Sequence, residues 1–170
     1  MTVYATVDSP LGELLLVGEE SVTAPGGTAL VSLSVPGQKG AAVVREGWRH
    51  DPETFVGIAG QLRAYFAGEL TRFAIEYAER DGGSTDFQRR VWRALEEIPY
   101  GETVTYGQIA ARVGSTGAGV RAVGTAIGRN PLLVVRPCHR VIGADGALRG
   151  YAGGLARKER LLGLEGALVS

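Results

Sequence analysis

The alternation of apolar and polar positions organises the chain before any single residue does. VYATVDSPLGELLLVG, at residues 3–18, carries two alternating or apolar runs joined by a Pro and Gly turn and predicts a β-hairpin. TALVSLSVPG sets Leu30, Ser32 and Ser34 against Val31, Leu33 and Val35 at period two, which predicts a further strand, and RFAIEY at 72–77 predicts another short one. Between them, DPETFVGIAGQLRAYFAGEL offers Asp51 as a cap and Pro52 for the first helical position, with Phe55, Ile58, Leu62 and Phe66 at helical spacing. The turn-rich stretches APGGTA and VPGQKGAA read only as connections.

From Asp81 the texture changes. GGSTDFQRRVWRALEEIPYGE begins with loop and cap residues, then places Phe87, Val91, Trp92 and Leu95 on one helical face before Pro99 and Gly101 end it. In TYGQIAARVGSTGAGVRAVGTAIGRNP a short helix at about 106–113 runs through a Gly and Ser turn into a second at about 118–128, the outline of a helix-turn-helix. Ala110, Ala111, Ala118, Ala122, Gly124 and Ala126 are small enough for close helix packing or for approach to a groove, and the outline by itself favours an αα-hairpin that packs in a core and touches nothing. The expected fold is α+β, with a mixed lobe over residues 1–82 and a mostly helical lobe over 83–170.

Composition bounds this picture. The 170 residues, 45% of them hydrophobic, suffice for one ordinary core or two small lobes. No basic n-region precedes a long apolar stretch, and no segment reaches the roughly 18 uninterrupted apolar residues of a membrane span, so a soluble, cytoplasmic protein is expected. The net charge of zero conceals an asymmetry: residues 1–85 hold 6 basic and 11 acidic side chains, residues 86–170 hold 12 and 7. Between Glu102 and Asp145 there is no acidic residue, while Arg112, Arg121, Arg129, Arg136 and Arg140 all fall there. A basic face toward a polyanion fits this spacing, and so does a solvated surface rich in arginine.

The candidate chemistry lies in VVRPCHRVIG, which holds the only cysteine, Cys138. A lone cysteine excludes an internal disulfide and a cysteine-rich zinc site, and it fits a reducing compartment. Pro137 and the β-branched neighbours predict extended backbone, so Cys138 and His139 should point to opposite faces and not touch directly. A water could still link them. With His139 as base and arginines alongside, the stretch can favour a thiolate; a buried cysteine acting as a small hydrophobe is the other reading.

PCHRVI resembles the active-site signature of the O6-alkylguanine-DNA alkyltransferases. FQRRVWRALEEIPYGETVTYGQIA, RAVGTAIGRNP and GYAGGLARKERLLGLEG resemble that family's other blocks, in order, over residues 84–166; DSPLGELLLVG and LRAYFAGEL are similar to it less specifically. The resemblance implies a ribonuclease H-like N-terminal lobe, with a three-stranded sheet and helix, before a C-terminal helix-turn-helix lobe. It makes Cys138 the alkyl acceptor, His139 its water-linked base, Glu165 the carboxylate orienting His139, and Asn130 the organiser of the turn before the cysteine. Tyr106 becomes the pocket tyrosine that bonds the base and helps protonate the departing guanine. The backbones of Val141 and Ala152 would meet the flipped guanine, with Ile127, Tyr151, Gly153 and Gly154 shaping the pocket. Arg121 would fill the gap left by the extruded nucleotide, while Ala118, Ala122 and Thr125 lie against the minor groove.

The function so implied is a single-use transfer of the alkyl group from O6-alkylguanine, and less efficiently O4-alkylthymine, in double-stranded DNA to Cys138. Binding would be largely independent of sequence and sensitive to salt. A monomer is expected, with cooperativity on DNA left open, and neither cofactor nor metal. Three departures stand out: alanine at 152, where serine or glycine is frequent in the family; a longer turn before Arg121; and a poor match over 21–47. A sensor that recognises alkylated DNA without repairing it is the rival within reach of the same fold, although such relatives replace the cysteine. A cysteine hydrolase is disfavoured because Cys138 and His139 are adjacent on an extended segment.

Overall fold

The computed structural model describes residues 1–79, 84–115 and 119–167. The chain divides into two compact units, residues 1–82 and 83–170.

In the first unit β1 (Thr2–Ser9) and β2 (Gly12–Glu20) form the expected hairpin, paired from Thr2 with Glu19 to Ser9 with Gly12. The Ser9 hydroxyl locks the turn by donating to the Gly12 carbonyl at 2.7 Å and accepting from Leu11 N–H at 3.1 Å. β3 (Thr28–Ser34) runs antiparallel to β2, with a bulge between Val17 and Gly18. Glycine is required there: a Cβ on Gly18 would lie 2.5 Å from Thr28 Cγ2 and 2.9 Å from the Ala29 carbonyl. A two-residue β4 (Arg49–His50) pairs parallel with β1, so the expected three-stranded sheet has a short fourth member, in the order β3-β2-β1-β4. The strand expected at 72–77 is reduced to a single parallel bridge between Tyr77 and Leu30. Its backbone ties to β3 are Leu30 N–H to the Glu76 carbonyl and Ala78 N–H to the Leu30 carbonyl, while the N–H and carbonyl of Ala74 bond to the Gln61 side chain instead of a strand. All seven residues of β3 are buried, so the period-two alternation of Leu30, Ser32 and Ser34 does not mark a solvated face.

The helix of this unit begins later than its sequence suggests. Pro52–Phe55 is a 3-10 turn, and α1 spans Val56–Phe66. Asp51 does not cap it: its carboxylate accepts from Arg49 Nη2 at 3.1 Å. Phe55, Ile58 and Leu62 are buried as expected, but Tyr65 closes the apolar face and Phe66 is only half-buried.

In the second unit α2 (Asp86–Glu96) starts at a capping box in which Thr85 and Gln88 satisfy each other's backbone N–H groups. It buries Val91, Trp92, Ala94 and Leu95. β5 (Val104–Thr105) leads into α3 (Tyr106–Arg112), which has a second capping box from Thr105 and Gln108, and then α4 (Gly119–Gly128). The Trp92 indole N–H donates to the Ala126 carbonyl at 2.9 Å and so ties α2 to α4. Beyond α4 the chain reaches β6 (Val141–Ile142), parallel to β5, and finishes in α5 (Leu155–Leu164). Among the described residues no helix is long and apolar enough to cross a membrane.

Candidate active site

The segment carrying Cys138 is buried but not extended, which corrects the sequence expectation. Asn130 bends it. Its Nδ2 donates to the carbonyls of Leu132 at 3.3 Å and Arg136 at 3.1 Å, and its Oδ1 accepts from Leu132 N–H at 3.0 Å. Val134 sits at φ 69°, a left-handed conformation costly for a β-branched residue and sustained by the surrounding bonds. Cys138–Arg140 then forms a 3-10 turn whose first N–H donates to the Arg136 carbonyl at 2.7 Å. Asn130 thus holds the turn before Cys138 through backbone groups that no periodicity reveals.

Cys138 is 4% exposed, and His139 is fully buried beside it. His139 Nε2 lies 2.8 Å from Glu165 Oε2. A carboxylate only accepts, so Nε2 carries the proton and Nδ1 presents its lone pair. Nδ1 has no hydrogen-bond partner among the described residues, so it is not bonded to the thiol. Burial holds the His139 pKa below its ordinary 6.5 against the opposing pull of Glu165, which favours the neutral, proton-accepting form.

Glu165 is shared. Arg140 grips it in bidentate fashion, Nε to Oε1 at 2.7 Å and Nη2 to Oε2 at 3.0 Å, and sends Nη1 to the Ile98 carbonyl. This ion pair sets a positive charge against the buried carboxylate and aims it at His139. Sequence reading missed Arg140 in this role, although an arginine two positions beyond the cysteine inside an apolar run was a visible signal.

Lys158 was missed as well. It is wholly buried, and its Nζ donates to the carbonyls of Val141 at 2.6 Å, Arg149 at 2.9 Å and Gly150 at 3.2 Å. Burial lowers its pKa to about 8. The signal was its place on the stripe of Lys158, Leu161 and Leu162 in α5 continued by its C-cap Glu165, where a lysine and a glutamate occupy core positions at helical spacing. The Arg149 carbonyl also accepts from the Tyr106 hydroxyl at 2.8 Å, so α3 and α5 hold the 143–154 loop from two sides. Burial raises the Tyr106 pKa, and the Cys138 charge adds to that rise. For Cys138 itself, burial pushes the thiol up to about 11, opposed by Asn130 and by the charges of Lys158 and Arg136.

The remaining expected residues fall into two groups. Val141 is buried, with its N–H donating to the Cys138 carbonyl. Tyr151 and Ala152 are half-buried, and Gly153 is buried with its carbonyl accepting from Arg157 at 3.0 Å. On α4, Arg121, Ala122 and Thr125 share the exposed face, while Ile127 lies with Val123 and Ala126 on the buried one. Ala118 lies outside the described residues.

Fold and site together define a two-unit α+β protein whose sole thiol is buried beside a histidine–carboxylate pair. Family models match both units: "6-O-methylguanine DNA methyltransferase, ribonuclease-like domain" over residues 2–78, and "6-O-methylguanine DNA methyltransferase, DNA binding domain" over 86–167. The methylated-DNA–protein-cysteine methyltransferase of Mycolicibacterium paratuberculosis is 53% identical over 165 residues, 97% of this chain and 93% of that protein. Its namesake from Methanosarcina acetivorans is 48% identical over 164 residues, 96% and 98% of the two chains. The crystal structure of Mycobacterium tuberculosis OGT in complex with DNA is similar at a TM-score of 0.84 and 50% identity, covering 97% of this chain and 93% of that one. The chain belongs to the 6-O-methylguanine DNA methyltransferase family.

Proposed function

We propose that this protein repairs DNA by moving the alkyl group of O6-alkylguanine irreversibly onto its own Cys138. One observation carries the reading: the only thiol of the chain is buried next to a neutral histidine whose far nitrogen is fixed by an arginine-clamped carboxylate. His139 Nδ1 takes the Sγ proton through one water. The thiolate attacks the alkyl carbon; the C–S bond forms, the C–O6 bond breaks, and its electron pair passes into the purine. Tyr106 leaves the Arg149 carbonyl to protonate the departing guanine and is reprotonated from solvent, to which His139 returns the thiol's proton. No leaving path exists for a thioether, so each molecule acts once.

DNA is the partner. The exposed α4 face, with Arg121 flanked by the small side chains of Ala122 and Thr125, suits the minor groove. The target nucleotide is flipped toward Val141, Tyr151, Ala152 and Gly153, because a nucleophile cannot reach O6 within the stack. O4-alkylthymine presents the same alkyl ether on a smaller ring and reacts more slowly. The protein acts as a monomer.

A duplex with radiolabelled O6-methylguanine tests the reading. Transfer should stop at one methyl group per molecule, located on Cys138 by mass spectrometry, and Cys138→Ser should abolish it while retaining DNA binding. Multiple turnover overturns the single-use mechanism; binding without any transfer identifies a sensor.

A further inference from the structure

Arg136 stands two residues before Cys138 and is only 8% exposed. Its guanidinium carbon lies 5.1 Å from the centre of the Trp92 ring, and that ring is itself fixed by the indole bond to Ala126. Nη1 reaches Asn130 Oδ1 at 3.5 Å, and the Arg136 carbonyl accepts from both Cys138 N–H and Asn130 Nδ2. A buried guanidinium is costly, and an apolar side chain would fill the same space more cheaply. Its charge is also permanent, whereas burial leaves Lys158, with a pKa of about 8, to lose its charge as the medium becomes alkaline.

We infer that Arg136 is a positioning residue for the acceptor thiol: a fixed cation, seated on Trp92 and joined to Asn130, that favours the thiolate of Cys138 whatever the state of Lys158. The inference rests on the reading of Cys138 as acceptor. The groups that act on the thiol are Asn130 and Arg136 from its own segment, Tyr106 from α3 and Lys158 from α5. Of these, only Arg136 is charged at every working pH. The Arg136 charge, held against Asn130 beside the thiol, acts inside the protein, where little solvent screens it.

The experiment measures the alkylation rate of Cys138 by iodoacetamide between pH 7 and 9.5, and in parallel its reaction with free O6-methylguanine. Arg136→Gln keeps a donor for Asn130 without the charge; Arg136→Met replaces the charge by an apolar stem; Arg136→Lys keeps the charge. Both neutral variants should shift the rate profile by about one pH unit to the alkaline side, roughly tenfold slower at fixed pH, while the lysine variant stays within about threefold. Either neutral variant suffices if the other does not fold. An unmoved profile in a folded neutral variant, or a lysine variant as slow as the neutral ones, overturns the inference. The pH profile of iodoacetamide alkylation reports the thiol's ionisation apart from DNA repair, so failure of the wild-type protein to accept an alkyl group from O6-methylguanine in duplex DNA would count against Cys138 as acceptor, not against Arg136.

Discussion

His139 can serve as a base because two opposing effects meet on it and burial outweighs the carboxylate. Its pKa therefore lies below 6.5, and the neutral imidazole persists under mildly acid conditions. In the unfolded chain the same ring takes up a proton near pH 6.5, so the folded state loses stability as pH falls below that value. Alkyl transfer follows the same sign. Single-turnover rates measured from pH 5 to 8 should hold steady down to 6.5 and fall only with a midpoint below it; a midpoint above 6.5 would contradict the buried, neutral histidine. Glu165→Gln leaves a group able to accept the Nε2 proton but removes the charge that steadies the imidazolium during transfer. Transfer should slow by about 100-fold, the lower end of what a positioned base contributes. Loss of less than about threefold would remove Glu165 from the relay. Arg140 would also lose its buried counter-charge in this variant, so a lower melting temperature should accompany the slower rate.

At the scale of elements, α4 divides its faces cleanly: Val123, Ala126 and Ile127 inward, Arg121, Ala122 and Thr125 outward. Because Arg121 is exposed, Arg121→Ala should change stability by no more than about 0.5 kcal/mol. Repair of duplex DNA should nevertheless slow by roughly 10- to 100-fold, the value of one well-placed base or groove contact. Reaction with free O6-methylguanine should be nearly unchanged, and equal losses on both substrates would remove the arginine from the duplex step. The helices were legible in the sequence because their apolar residues repeat at the spacing of a buried face, as with Val91, Trp92 and Leu95 in α2. The hairpin was legible from its turn chemistry. What periodicity could not reveal was set by side chains reaching backbone far from their own turn. Asn130 and the left-handed Val134 fold a stretch whose composition reads as strand, and Arg49 draws off the carboxylate that would have capped a helix. Within the site, Cys138, His139 and Glu165 were legible from the motif blocks. Lys158 and Arg140 were missed, although each stands at a core position in the pattern, because a charged residue there joins a buried network only once its partner is known.

For the molecule as a whole, single use has a thermodynamic consequence. The thiol that receives the alkyl group is 4% exposed, held by Asn130 and acted on by the charges of the buried Lys158 and Arg136, and neither Asn130 nor Lys158 can withdraw without breaking bonds to carbonyls. Adding even a methyl group there overpacks the interior, at a cost of about 1–3 kcal/mol. In a chain of this size each kcal/mol corresponds to roughly 2–4 °C of melting temperature, so the S-methylated protein, freed of DNA, should melt roughly 2–12 °C lower. Larger alkyl groups should lower it further. Calorimetry before and after reaction with O6-methylguanine checks this, with Cys138→Ser carried through the same incubation and expected not to shift. An unchanged or higher melting temperature would mean that the site relaxes around its product. A drop would mean that the spent protein differs from the active one in stability as well as chemistry, because the burial that shields the thiol before repair leaves no room for the product afterwards.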